Sequence, residues 1–382
     1  MIYFDNASTT LRKPDSVSKA VYQLLIEGSG NPGRGANRVS MDAGRVLMNC
    51  RLELMRLFQG NKPENVIFKS SVTEALNTLI LGLLKEGDHV ITSVMEHNSV
   101  LRPLEALRMK GFITYDLLGA DANGRIAIED IRSLERPETR AIILSHVSNL
   151  TGSIQPLKKI RGLLANPEIF IIADCAQSAG YIDVGIDSLN VDAIAFTGHK
   201  GLLGPQGTGG FLLNERLERQ VSPVFTGGTG SDSLSLMQPD FLPDKFEAGT
   251  HNTPGAAGLL EGVKYILNIS IMKIMHDNRI LMNHFIESIS RIPRIEVQGS
   301  LDSKDRIPTF SLKFKDLEPS EASYLLETQY GIITRSGYHY APLAHKALGS
   351  IDRGTLRISF GHYTTLEEID TLLEALTKIS EV

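Results

Sequence analysis

The chain has 382 residues, 42% hydrophobic and 22% charged, with a formal net charge of −5. That length suits two domains, and the mild acidity argues against nucleic-acid or membrane-surface binding, both of which need basic stripes. Cys50 and Cys175 are the only cysteines, which excludes a disulfide framework and a cysteine zinc site. No apolar run approaches the roughly 20 residues of a membrane span. The start "MIYFDNASTT" lacks the basic residues and apolar core of a signal peptide. A soluble cytoplasmic protein is expected, without metal, nucleic acid or membrane as partner.

Along the chain, "ENVIFKSS", "DHVITSVMEHNS", "GFITYDLLG", "TRAIILSHVSN", "EIFIIADCAQS", "VDAIAFTGHK" and "GTGGFLLN" read as buried strands. Amphipathic stretches such as "TEALNTLILGLL" and "SVLRPLEALRMKG" lie between them. This alternation predicts an α/β unit with a mostly parallel seven-stranded sheet covered on both faces. After residue 254 the texture changes. The helical patterns "PGAAGLLEGVKYILN" and "IMHDNRILMNHFIESISR" lead into "IPTFSLKFK", "SEASYLLETQ", "GTLRISFG" and "TLEEIDTLLEALTKI". A large domain over 16–254 is expected, with 1–15 and 255–382 forming a smaller α+β domain.

In open α/β sheets, ligands bind beyond the carboxyl ends of the strands. Those ends carry Ser71-Val72-Thr73, Glu96-His97-Asn98, Ser148-Asn149, Asp174-Cys175-Ala176-Gln177 and Thr197-Gly198-His199-Lys200. Singly, each has an ordinary explanation: a helix cap for Ser71, Thr73 or Asp174, a solvated loop charge for Lys200, a hydrogen-bonding residue for His97. Together they are more specific. A lysine in enclosed surroundings serves as an amine nucleophile. A carboxylate closing a very apolar strand needs a cationic partner. A bonding lysine with an aspartate facing a pyridinium nitrogen is the protein signature of pyridoxal 5'-phosphate (PLP). Ser71 and Thr73 at a helix N-terminus would then hold the phosphate, and His97 would stack on the ring. Rival sites find no support, since H-E-x-x-H, GxxxxGK[ST] and a GxGxxG after a first strand are all missing.

These residues also carry a resemblance. "YFDNASTT", "SSVTEALN", "MEHNSVLRP", "HVSNLTGSIQP", "DCAQSAG", "FTGHKGLLGPQGTGG", "FEAGTHNTPG" and "LRISFGHY" follow in order the motifs of class V aminotransferase-like enzymes of PLP fold type I. Within them the chain resembles the cysteine desulfurase/selenocysteine lyase group. The resemblance implies that Lys200 bonds the cofactor, His97 stacks on it, Asp174 meets its ring nitrogen and Gln177 approaches its phenolic oxygen. Ser71, Val72, Thr73, Thr197 and His199 would hold the phosphate, with Thr250 reaching across from a second subunit of a homodimer. Arg357, helped by Asn149, would bind the substrate α-carboxylate, and a guanidinium is suited to a bidentate grip on that group. Arg34 in "NPGRGAN" is a further candidate at the substrate mouth.

One position departs from the pattern. In "RSGYHYAPLAHKALG", Arg335, Gly337 and His339 match the group's R-x-G-x-H-C loop, but Tyr340 stands where the resemblance puts a cysteine. That cysteine takes sulfur from the substrate as a persulfide, which a phenol with a pKa near 10 does not do. The expected activity is therefore C–S or C–Se lyase chemistry, by β-elimination, on cysteine, selenocysteine or a related amino acid. Tyr340 or His339 would act as an acid, and a sulfur- or selenium-accepting protein is a conceivable partner. The alternatives are an aminotransferase or epimerase of the same family, and a catalytically weakened paralogue acting as a partner protein.

Overall fold

The computed structural model describes residues 1–33 and 37–381. Seven strands form the central sheet: β2 (Val66–Lys69), β3 (His89–Ser93), β4 (Thr114–Leu118), β5 (Thr139–Ser145), β6 (Phe170–Asp174), β7 (Ala193–Thr197) and β8 (Gly209–Leu213), in the order β2-β8-β7-β6-β5-β3-β4. Only β8 runs antiparallel to its neighbours. Strand alternation divides the apolar side chains between two clusters. Ile142 and Leu144 of β5 face one, together with Leu54 and Leu57 of helix α2 (Arg38–Leu57) and with Leu259 and Val263 of the helix Thr253–Ile269. Ala141 and Ile143 face the other, with Leu76 and Ile80 of α3 (Val72–Leu83) and Leu104 of α4 (Asn98–Met109). A sheet covered on both faces leaves its strand ends as the place where polar groups gather.

The helix Thr253–Ile269, which spans the expected boundary at 254/255, packs on α2 and on α1 (Asp15–Glu27). Beyond it, β9 (Ile295–Gln298), β10 (Thr309–Phe314), β12 (Arg335–Gly337) and β13 (Thr355–Ser359) form an antiparallel sheet in the order β12-β13-β10-β9. The helices Pro319–Tyr330 and Leu366–Ser380 close this smaller unit over Phe310, Leu312, Leu356 and Ile358. The chain start belongs to it, because β1 (Ile2–Tyr3) pairs in parallel with β11 (Ile332–Ile333) and Phe4 lies in the same cluster. No described helix is long and apolar enough to cross a membrane.

Candidate active site

Lys200 follows β7 in a turn pressed against the turn after β6. The close approach requires glycine on both sides: a Cβ on Gly201 would collide with the Ala179 carbonyl, and one on Gly180 (φ +86°) with the Gly201 carbonyl. The N-terminal segment clamps the same turn. Thr10 Oγ1 donates to the Lys200 carbonyl (2.9 Å), while Thr10 N–H and Lys13 Nζ both donate to the His199 carbonyl (3.2 Å each). Thr9 Oγ1 lies 3.0 Å from His199 Nδ1. The Lys200 amine itself has no hydrogen-bond partner among the described residues. Burial, then the Arg357 charge, lower its pKa to about 8, while Asp174 pulls the other way. The neutral amine is therefore accessible near neutral pH.

Asp174, the last residue of β6, is buried, and burial raises its pKa. Its Oδ1 accepts from Ala176 N–H at 2.9 Å, and Oδ2 has no partner among the described residues. His97 caps α4 through Nδ1, which accepts from Ser99 N–H at 3.0 Å. That contact assigns the proton of the neutral ring to Nε2. Burial, then Lys200, lower the His97 pKa to about 4. At the other end of the strip, Ser71 Oγ caps α3 by accepting from Glu74 N–H at 3.2 Å. The N–H groups of Val72 and Thr73, in the first helical turn, have no carbonyl partner within the helix. Gly209, in register with both Lys69 and Thr197, lets the start of α3 approach the end of β7, since a Cβ there would come within 3.0 Å of Ser71 Cα. An unpartnered carboxylate oxygen, a free amine, a neutral imidazole and an open helix N-terminus lie along one sheet edge. These groups fit PLP.

The smaller unit faces this edge with arginines. Arg357 is buried; its Nη1 donates to the Asn149 carbonyl (3.0 Å), and its Nη2 to Asp5 Oδ1 (3.0 Å) and Ser8 Oγ (2.7 Å). Its Nε is buried without a partner. Asn149 Nδ2 donates to the His339 carbonyl at 2.6 Å, so Arg357, Asn149 and the 338–341 loop are joined. Two consecutive residues there adopt left-handed backbone, His339 (φ +49°) and Tyr340 (φ +60°), an uncommon conformation for side chains of this size. The Tyr340 carbonyl accepts from Asn98 N–H at 2.8 Å. Tyr340 is 53% exposed, and its ring lies 5.6 Å from that of His97 and 5.2 Å from the Arg335 guanidinium. His339 is buried, with Nε2 3.2 Å from Thr355 Oγ1 and Nδ1 unpartnered. Burial holds its pKa well below the ordinary value.

The remaining expected residues have partners of their own or line a cavity. Gln177 Nε2 donates to the Ala7 carbonyl at 3.1 Å, and Thr197 Oγ1 to the Thr208 carbonyl at 3.5 Å. Thr250 lines a cavity of about 220 Å³ with Lys69, Ser70, Glu74 and Thr208, beside the α3 terminus. Arg34 lies outside the described residues.

The sequence reading assigned no role to Glu96 or to the N-terminal contacts. Glu96 is buried at the end of β3; it accepts from Ser93 Oγ (2.6 Å), Ser145 N–H (2.8 Å) and Ser145 Oγ (2.7 Å), and burial raises its pKa to about 7. Its signal was a lone acid in the run "VMEHN" next to His97. Asp5, Ser8, Thr9 and Thr10 sit in a polar run that gives no indication of partners some 190 to 350 positions away.

The profile of the Aminotransferase class-V family matches residues 2–372. A probable cysteine desulfurase of Methanothermobacter thermautotrophicus is 32% identical over 384 residues, covering 99% of this chain and 94% of the relative. One from Pyrococcus abyssi is 31% identical over 387 residues, covering 99% and 94%. The apo structure of cysteine desulfurase from Thermococcus onnurineus superimposes with a TM-score of 0.93 at 30% identity, covering 100% of this chain and 94% of that one.

Proposed function

The chain belongs to the aminotransferase class-V family, and from that premise we propose that this PLP-dependent enzyme is a C–S or C–Se lyase that stores no persulfide. The observation that carries the reading is Tyr340, at the position where resemblance to desulfurases puts the sulfur-accepting thiol. Cys50 and Cys175 do not replace it. Both are fully buried, and burial raises their pKa values, that of Cys50 to about 12. Neither supplies a reactive thiolate.

When bound, PLP supplies an electron sink for the charge left at the substrate Cα. The chain's own residues do the rest. Arg357 and Asn149 hold the α-carboxylate, which orients the Cα–H bond. Lys200, with its lowered pKa, takes the Cα proton. Asp174, whose Oδ2 has no partner among the described residues, would hold the cofactor's ring nitrogen, and the neutral His97 would hold its ring. Val72 and Thr73 N–H groups, the Ser71, Thr73 and Thr197 hydroxyls and His199 form the phosphate seat. Cleavage at Cβ then releases sulfide from cysteine, selenide from selenocysteine or cysteine persulfide from cystine, and the enamine left over takes up one water to give pyruvate and ammonia. Protonation of the departing group falls to Tyr340, which is half-exposed beside His97; His339 contributes by fixing Asn149 through its carbonyl. Selenolate is the better leaving group, so selenocysteine or a cystine-type substrate is favoured over cysteine. Release goes to solvent or to an acceptor protein in the cytoplasm.

Exposed apolar side chains on α1 (Tyr22, Leu25, Ile26) and on the 225–241 segment (Phe225, Leu234, Leu236, Met237) support a homodimer in which Thr250 completes the partner's phosphate seat. The deciding assay measures pyruvate formation from cysteine, cystine, selenocysteine and cysteine sulfinate, with sulfide, cysteine persulfide, selenide or oxidised sulfur identified as the respective co-product, alongside Tyr340→Cys. Steady pyruvate formation without protein-bound persulfide, and persulfide on the variant alone, is the expected outcome. No turnover of any of the four would overturn the proposal.

A further inference from the structure

Arg335 and Arg357 stand directly opposite each other on β12 and β13, a placement in which like charges repel. Among the described residues Asp5 is the one carboxylate paired with either, 3.0 Å from Arg357, and Arg335 has no ion-pair partner. Both guanidiniums converge instead on a single neutral oxygen. Arg335 Nη1 donates to Ser8 Oγ at 2.5 Å and Arg357 Nη2 donates to it at 2.7 Å, while Ser8 spends its own proton on Asp5 Oδ1 at 2.7 Å. With two bonds accepted and one donated, the hydroxyl is saturated. It carries no charge, so the pair keeps a net positive charge in a partly buried place.

Asp5 is already paired with Arg357, so an amino-acid α-carboxylate bound at Arg357 brings the group to zero net charge but puts both carboxylates on one guanidinium and none on the other. Arg335 is the one left without. Its guanidinium reaches from the shared Ser8 contact to the face of Tyr340, 5.2 Å away, and Tyr340 is in turn 5.6 Å from His97. Arg335 thus spans from the α-carboxylate grip to the residue at the sulfur-acceptor position. We propose that Arg335 is a second anion-binding residue, selecting amino acids whose side chain ends in an anion (selenolate, sulfinate or carboxylate) over those ending in a neutral group. The inference rests on the PLP-dependent amino-acid reading above and narrows its substrate class. It also gives the site a reason to prefer selenocysteine, whose selenol ionises more readily than a thiol.

The test is binding of unreactive amino acids to the holoenzyme, followed by the absorbance of the bound cofactor. L-aspartate should bind about tenfold tighter than L-alanine, the scale of one charge-assisted contact. In Arg335→Gln the ratio should fall to near one through loss of aspartate affinity, and Arg335→Lys should retain most of it. Removing one of two opposed charges should leave the melting temperature of Arg335→Gln unchanged or higher, so a collapsed ratio would not reflect unfolding. Equal affinities in the wild type, or an aspartate preference that survives in Arg335→Gln, would overturn the proposal. A parallel thermal-shift comparison of maleate with crotonate needs no bond to the cofactor. If amino acids leave the absorbance unchanged but maleate stabilises the wild type more than crotonate and Arg335→Gln does not respond, the amino-acid reading fails while the paired-anion site stands. If maleate and crotonate act alike, the site falls too.

Discussion

Lys200 is held at the cost of stability, and the sign of that cost is measurable. Its pKa falls from about 10.4 in the unfolded chain to about 8 in the folded one. Below pH 8 both states carry the proton and the buried charge is fully penalised. Between 8 and 10 the folded state releases the proton while the unfolded chain keeps it, so stability rises with pH through that window. The cofactor-stripped protein should gain stability from pH 8 to pH 10, by at most on the order of 2–3 kcal/mol. Lys200→Met should raise the melting temperature at pH 7 and flatten the dependence, which a thermal scan across pH would read. A profile equally steep in the variant would assign the effect elsewhere. The same variant should lose the absorbance of bound cofactor and all turnover. Asp174 follows the same logic. Asp174→Asn removes a buried carboxylate with a raised pKa, so it should leave the stripped protein as stable or more stable while cutting kcat by two orders of magnitude or more. Stability and activity moving in opposite directions is the mark of a residue kept for function.

Strand ends, rather than whole elements, carry the site, and this decides what the sequence made legible. All seven central strands were visible as apolar runs bounded by polar residues, and the polar groups after them lie along one edge of the sheet. Lys200, Asp174, His97 and Ser71 to Thr73 each sit at the carboxyl end of a strand found by pattern alone. What stayed hidden has no pattern to show. Strand β12 is three residues long, inside a run read as a loop, so the opposition of Arg335 to Arg357 could not be foreseen. Helix α1 and strand β9 were also passed over, the one flanked by no strand signal and the other only four residues long. Glu96 belongs to the same class. It ties the end of β3 to the end of β5 by accepting from both the N–H and the hydroxyl of Ser145. Glu96→Ala strands the Ser93 hydroxyl and both Ser145 donors in a buried place, and should cost about 2–4 kcal/mol. Because Glu96 adjoins His97, it should also loosen cofactor binding, read as a raised dissociation constant. Unchanged cofactor affinity in a destabilised variant would confine Glu96 to a structural role.

At the scale of the molecule, the question is why a chain with so closely built a lysine turn should leave so much apolar surface uncovered. Leu25 and Ile26 of α1 are 65% and 66% exposed, and Leu234 and Leu236 are almost fully so. Single exposed leucines need no explanation, but grouped ones mark an interface. Thr250 lies in the segment that follows the exposed 225–241 run and lines a cavity with Ser70 and Glu74 next to the α3 terminus. A second copy would bury the apolar groups and give Thr250 a phosphate to hold in its partner. Assembly and cofactor retention should therefore fail together. Leu25→Glu combined with Ile26→Glu places two charges on the exposed face of α1, away from both apolar clusters, so each chain should still fold. Light scattering should show the double variant shifting from dimer to monomer, and dialysis should strip its PLP at least tenfold faster than that of the wild type. Thr250→Ala should speed cofactor loss without changing the mass. A monomeric variant that kept its cofactor as tightly as the wild type would show that each chain completes its own phosphate seat.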